Sequence, residues 1–147
     1  MRPTILIADD HRLYADALRS MLNPAYDIVG IATNGRELTE LAARFKPDLI
    51  VTDISMPLLN GLEAVRILAT MGLPSKVIVL TMHMDVSLAV EAFRSGASAF
   101  VLKTANSAEF TEALAVVQGG GCYLSSQFPS DLVTVLAEAA SHPAVSG

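Results

Sequence analysis

Tryptophan is absent from this chain, cysteine occurs once, and aromatic residues make up only 5% of it. A core must therefore be assembled from Leu, Ile, Val, Ala and Met. The 52% hydrophobic content over 147 residues supplies enough of them for one domain and a short appendage. The single cysteine, Cys122, excludes a disulfide within the chain, which fits a reducing compartment. Clustered positive charge is missing too. The ten Lys and Arg stand singly at 2, 12, 19, 36, 44, 46, 66, 76, 94 and 103, in a chain of formal net charge −5. Without a basic stripe these residues make neither a nucleic-acid surface nor a membrane-surface helix. No apolar run approaches the length of a membrane span, and the N-terminal MRPTILIADD reaches acids too early for a signal peptide. The chain is read as cytoplasmic.

What is present is an alternation. Short runs rich in Ile, Val and Leu fall at Thr4–Ala8, Asp27–Ala32, Asp48–Thr52, Lys76–Thr81 and Ser98–Leu102. They do not alternate with polar residues, as expected of strands covered on both faces. Helical spacing fills the gaps: Tyr14, Ala17, Leu18 and Met21; Leu38, Leu41, Ala42 and Phe45; Phe110, Ala113, Leu114 and Val117. Asp85 is placed to cap a helix that ends at Gly96, and Asn106 with Glu109 forms a capping-box pattern. Five βα units imply a parallel sheet with helices on both faces. A closed barrel needs far more chain. The expectation is a flavodoxin-like, doubly wound α/β fold, (βα)5, with five parallel strands in the order 2-1-3-4-5. Gly119-Gly120-Gly121 follows a helix instead of preceding one, so it reads as a helix stop and not as a phosphate loop. The organisation expected is a domain over 1–121 and a linker over 122–147. That linker carries a short amphipathic helix, capped by Ser130 or Asp131, with Leu132, Val135, Leu136 and Ala139 on its apolar side.

The strand Leu49-Ile50-Val51 ends on an acid, Asp53, and a turn containing Pro57 and Gly61 follows. In an open α/β sheet the ligand crevice lies beyond the carboxyl ends of the strands. That rim collects Asp9 and Asp10 after the first strand and Asp53 after the third. Thr81 ends the fourth, and Lys103 follows the fifth. Taken singly, each has an ordinary structural role as a cap, a turn residue or a solvated charge. Together they make a site. Two like charges at 4 Å cost roughly 4 kcal/mol at an effective dielectric near 20. Protonation, Lys103 or a divalent cation must offset that. All-oxygen ligands suit Mg²⁺. Mg²⁺ beside a lysine is what a transferring phosphoryl group requires. A central carboxylate can itself be the nucleophile, forming an aspartyl phosphate at Asp53. Thr81 can donate a hydrogen bond to the new phosphoryl oxygen, and the Ser55 carbonyl can face the metal.

The set Asp9-Asp10, Asp53, Thr81, Lys103 resembles the receiver domain of two-component response regulators over residues 4 to about 118. DISMP with Asn60-Gly61 and GASAFVLK at 96 to 103 are similar to that family's motifs. ADDH at 8 to 11, LTMH at 80 to 83, Lys103-Thr104 and YLS at 123 to 125 resemble its NarL/LuxR (FixJ) class. The resemblance implies that Asp53 is the phosphoacceptor, charged by a sensor histidine kinase. Asp9, Asp10, Asp53 and the Ser55 backbone carbonyl would serve Mg²⁺, and Thr81 and Lys103 would contact the phosphoryl group. Thr81 and Phe100 would form the switch pair, Phe100 turning inward when Thr81 is drawn to phosphate. Homodimerisation on activation is implied as well. The output implied is transcription control through a helix-turn-helix domain that this chain does not contain. DNA would be reached only through that domain.

Some residues depart from the common family pattern. Thr104 stands where many receivers carry Pro, so a trans Lys103-Thr104 bond is expected. Met82 stands where a small residue is common and is expected to narrow the pocket. Phe100 lacks a tyrosine hydroxyl. His83 is expected at the surface of its loop, and Cys122 is expected to be inert. Two readings of the whole chain stay open, a receiver fragment of a transcription factor and a stand-alone receiver acting in a phosphorelay or by protein contact. An aspartate-nucleophile phosphatase needs a second Asp where Ser55 stands. A flavin or nucleotide binder needs a phosphate-cradling loop where Asp9 and Asp10 stand.

Overall fold

The computed structural model of the chain describes residues 2–56, 58–129 and 132. In chain order the elements are β1 (Thr4–Ala8), α1 (Arg12–Leu22), β2 (Asp27–Ala32), α2 (Gly35–Phe45), β3 (Leu49–Asp53) and α3 (Gly61–Thr70). They continue with β4 (Lys76–Thr81), α4 (Val86–Ser95), β5 (Ala99–Leu102), α5 (Ser107–Gln118) and β6 (Tyr123–Leu124). All pairings are parallel, in the order β2-β1-β3-β4-β5-β6. The expected 2-1-3-4-5 sheet is therefore present, with a two-residue strand added beside β5.

Period-two side-chain alternation divides the core between the two faces of the sheet. Leu6, Ile50, Val79 and Phe100 point to the face covered by α2, α3 and α4, where Leu38, Val65, Leu68 and Phe93 meet them. Ile5, Ile7, Val51, Ile78 and Val101 point to the opposite face, against Leu18 and Leu22 of α1 and Phe110, Leu114 and Val117 of α5. Burial on both faces is why the strands read as continuous apolar runs.

Helix starts follow their cap residues. The side chains of Asn34, Asn60, Asp85 and Asn106 accept hydrogen bonds from the amides of Glu37, Glu63, Leu88 and Glu109 respectively. The α4 helix ends on Gly96 at φ 119, a left-handed cap. Only half of the Asn106–Glu109 box forms. The Glu109 carboxylate turns away to accept from the Tyr123 hydroxyl and the Ser126 amide, both at 2.8–2.9 Å.

Three local expectations change. The buried residues of α1 are Ala15, Leu18 and Leu22, whereas Ala17 and Met21 are exposed. Phe45, expected on the inner face of α2, is exposed at its end. The glycine triplet stops α5, with the Gly120 and Gly121 amides donating to Val117 and Val116 carbonyls, and it returns the chain to the sheet instead of releasing it. Within residues 122–129, read as linker, Tyr123 and Leu124 pair with β5 and a turn follows, burying Leu124, Ser125 and Phe128. Beyond them Leu132 packs against the same cluster. The rest of the expected linker helix, with Ser130, Asp131, Val135, Leu136 and Ala139, lies outside the described residues. Among those described, no helix is long and apolar enough to cross a membrane.

Candidate functional site

Four strands deliver the expected site residues to one end of the sheet. Asp9 leaves β1 with its amide bonded to the Ala32 carbonyl at 2.9 Å, and it is 1% exposed. Asp53 is the last residue of β3 and is buried. Lys103 follows β5, held by its amide to the Thr81 carbonyl at 2.7 Å. Its Nζ donates to Asp9 Oδ2 at 2.8 Å and lies 3.3 Å from Asp53 Oδ2. The same Nζ sits 4.5 Å from the centre of the Tyr14 ring, a cation–π contact from α1. The lysine is thus fixed from three sides. The Lys103-Thr104 bond is trans, as expected.

Asp10 is more exposed and stands beside Asp9. One oxygen each of Asp9, Asp10 and Asp53, with a ring nitrogen of His11, lie within 4.8 Å of one another. The His11 amide donates to Asp9 Oδ1 at 2.8 Å, and its Nδ1 lies 3.3 Å from the same oxygen. Hard oxygen donors converging on one point fit Mg²⁺. Burial pushes the Asp53 carboxyl pKa up; Lys103 pulls it down and the Asp9 charge adds to the rise. Burial, with the charges of Asp9 and Asp53, also pushes the Tyr14 hydroxyl up to about 12, so it stays protonated.

The turn behind Asp53 is wedged between two glycines. A Cβ on Gly61 would sit 2.2 Å from the Asp53 carbonyl oxygen, and one on Gly35 would sit 1.9 Å from the Leu59 carbonyl oxygen. Only glycine lets the start of α3 approach the end of β3 this closely. Asp53 Oδ1 accepts from the Ser55 amide at 3.4 Å. Ser55 lines an open cleft of about 560 Å³ with Asp10, Met56, Asn60 and His83.

The remaining residues lie to the β4–β5 side. Thr81 is buried, and its Oγ1 accepts from the His83 amide at 3.0 Å. Met82, 60% exposed, lines a separate apolar cleft with His11, Leu13, Tyr14, Lys103 and Thr104. It therefore stands on the lysine side of the acids, and His83 stands on the Asp10 side, exposed as expected. Phe100 is wholly buried on the α2–α3–α4 face, edge-to-face with Phe128 at 5.9 Å between ring centres. Cys122 is half-buried and free.

Sequence reasoning did not assign His11, Tyr14, Gly35 or Phe128. His11 stood in the ADDH motif, and its neighbours could have suggested a role. Tyr14 reads from the sequence only as a helix-face residue. Gly35 and Phe128 carry no local signal, because each matters only through a segment distant in sequence.

The response regulator receiver domain family matches residues 5–115. The chain is 34% identical over 131 residues to the transcriptional regulatory protein DegU of Brevibacillus brevis, covering 88% of this chain and 56% of that one. It is 33% identical to the chemotaxis protein CheY of Thermotoga maritima, covering 78% of this chain and 96% of that one. Among solved structures, a LuxR-family response regulator from Aurantimonas sp. superposes with a TM-score of 0.82 at 26% identity, covering 97% of both chains. The NarL receiver domain of Mycobacterium tuberculosis gives 0.77 at 25% identity, covering 81% of this chain and 98% of that one. The chain thus spans 56% of DegU and 60% of LnrK of Bacillus subtilis, another transcriptional regulatory protein.

Proposed function

Because this chain belongs to the response regulator receiver domain family, we propose that it is a phosphorylation switch whose phosphoacceptor is Asp53. The observation that carries this reading is the position of the Asp53 carboxylate. It is buried at a strand end, 3.3 Å from the Lys103 ammonium and beside two further acids.

Asp9, Asp10, Asp53 and the Ser55 backbone carbonyl would hold Mg²⁺. The ion supplies positive charge against the phosphoryl oxygens. The chain's own residues do the rest. An Asp53 oxygen attacks the phosphorus of a phosphohistidine on a sensor kinase. The P–N bond breaks, and its electron pair returns to the imidazole nitrogen. Lys103, already tethered to Asp9, meets the new phosphoryl charge without reorganising. The Thr81 hydroxyl, which donates to the His83 carbonyl at 3.4 Å, redirects that bond to a phosphoryl oxygen, and Phe100, already buried, stands on the same face of the sheet. The protein acts as a phosphoacceptor and not as an enzyme that turns over substrate, apart from slow self-catalysed gain and loss of the group.

The output is transcription control through a helix-turn-helix domain outside this sequence, with a homodimer as the active form. Relatives named as transcriptional regulators, of which the chain spans just over half, support this. Acting alone in a phosphorelay is the second reading, favoured by a match that spans 96% of the length of CheY. The test is intact-protein mass after incubation with a small phosphodonor, with and without Mg²⁺. The expected result is one Mg²⁺-dependent phosphoryl adduct, absent in Asp53→Asn. An adduct that persists in the variant would remove Asp53 from the role.

A further inference from the structure

The Lys103 ammonium carries three N–H donors and is almost wholly withdrawn from water. Two of its partners are carboxylates. Nζ lies 2.8 Å from Asp9 Oδ2 and 3.3 Å from Asp53 Oδ2. The third partner is a ring. Nζ sits 4.5 Å from the centre of Tyr14, and the negative face of an aromatic ring attracts a cation. With the lysine side chain 6% exposed, the ring stands where an exposed ammonium would keep water.

Tyr14 is brought there by the first turn of α1, which starts just beyond Asp9 and Asp10. It is also a wall. An apolar cleft of about 450 Å³ is lined by Leu13 and Met82, and a smaller one of about 160 Å³ by Leu18 and Phe110. Tyr14 and Lys103 line both clefts. Without the ring, the ammonium on its flexible four-carbon stem would be free to turn into either cleft and exchange a carboxylate for water. The Tyr14 hydroxyl stays protonated, its pKa pushed up to about 12, so the ring brings no negative charge of its own. What it offers the lysine is its face.

Phosphorylation changes one of the three partners. When an Asp53 oxygen forms its bond to phosphorus, the carboxylate loses the charge that attracts Lys103. Asp9 and the Tyr14 ring are the partners that remain while Nζ turns to the phosphoryl oxygens. A cation already in place stabilises developing charge without reorganising. We propose that Tyr14 is a positioning residue for phosphoryl transfer, whose ring face holds the Lys103 ammonium against the acids and fixes where it meets the incoming group. The inference rests on the phosphoacceptor reading above.

The test replaces Tyr14 in the full chain by phenylalanine, and by phenylalanines carrying one, two and three ring fluorines. Fluorine drains the negative face and leaves the ring's size nearly unchanged, so packing is kept. The readout is the rate of adduct growth by intact-protein mass, with a small phosphodonor and Mg²⁺. Tyr14→Phe should keep the wild-type rate within about twofold, and the rate should then fall stepwise to about tenfold lower with three fluorines. Tyr14→Leu, which has no π face, should be as slow as the trifluorinated form. Proton NMR gives a second readout that needs no reaction. The Lys103 ε-methylene protons should be shifted upfield by the ring current in wild type and Tyr14→Phe, and should return to ordinary positions in Tyr14→Leu. A flat rate across the fluorinated series, or unshifted Lys103 protons in the wild type, overturns this proposal alone, because the adduct on Asp53 still forms. No adduct in the wild type, or one that survives Asp53→Asn, overturns the phosphoacceptor reading and this inference with it.

Discussion

Lys103 holds two buried carboxylates together, and the energetic consequences can be worked out residue by residue. Its side chain is 6% exposed, and those of Asp9 and Asp53 are 1% and 5% exposed. Removing one partner of a buried ion pair leaves an uncompensated charge, which costs about 3–5 kcal/mol. Lys103→Ala should therefore lose about 3 kcal/mol in urea unfolding without divalent cation. Millimolar Mg²⁺ should return part of that loss, because it replaces the missing charge. A loss that Mg²⁺ leaves untouched would mean that the acids do not share a cation. Asp53→Asn goes the other way. The folded pKa of Asp53 lies above its ordinary value of 3.8. Between those two values the folded protein binds more protons than the unfolded chain does, so stability falls as pH rises through that window and stays reduced at neutral pH. Asparagine removes the ionisation. The variant should be more stable than wild type at pH 7 without Mg²⁺, and the difference should fade as pH drops below the unfolded value. Thermal melts at pH 3 and pH 7 check the sign.

The elements show which features were legible in the sequence and which were not. Five strands stood out because burial on both faces leaves unbroken apolar runs, and Asp85 and Gly96 bracket α4 because capping chemistry is local. The site residues followed from a rule about strand ends and needed no contact information. The failures come from tertiary competition. Apolar Ala17 and Met21 lie beside the true stripe of α1, Ala15, Leu18 and Leu22, and shift its apparent phase. Glu109 has the sequence of a capping-box residue, but β6 offers it two donors and wins. That strand itself has two residues, too few for any periodicity, and exists only because β5 leaves an edge to pair with. The β3–α3 junction gives an element-scale test. Gly61→Ala places a methyl group 2.2 Å from the Asp53 carbonyl oxygen and 2.8 Å from Ile54 Cα, so α3 must move and Asp53 must move with it. Overpacking of this kind costs about 1–3 kcal/mol. A displacement near 1 Å slows a positioned reaction by about 100-fold. Phosphorylation by a small donor should slow by about one to two orders of magnitude in this variant. Gly72→Ala is the control. Gly72 has φ 67 and open space around it, so its cost is backbone strain of about 1 kcal/mol with no effect on the rate.

For the whole molecule, the question is where the folded unit ends. A boundary at Gly121 would leave β5 as an edge strand with Phe100 uncovered. The chain instead buries Leu124 and Phe128 against the α2–α3–α4 side of the core, and Leu132 packs on the same cluster. Full burial of each large apolar side chain contributes about 1.5–3 kcal/mol. Ordering the backbone that carries them opposes this by about 1–2 kcal/mol per residue. The three main-chain and side-chain bonds to Ser98, Phe100 and Leu102, with the two to Glu109, tip the balance toward docking. A chain ending at Gly121 should therefore be less stable than one ending at Leu132 by about 2 kcal/mol, with a smaller denaturant slope because less surface is exposed on unfolding. The shorter chain should also self-associate with rising concentration, since it presents an unpaired edge next to an exposed aromatic ring. Sedimentation of the two truncations at matched concentrations separates the alternatives. Equal stability and equal monomer content would put the domain boundary back at 121 and leave β6 as a passive linker. A less stable, self-associating 1–121 would make the segment through Phe128 part of the receiver fold.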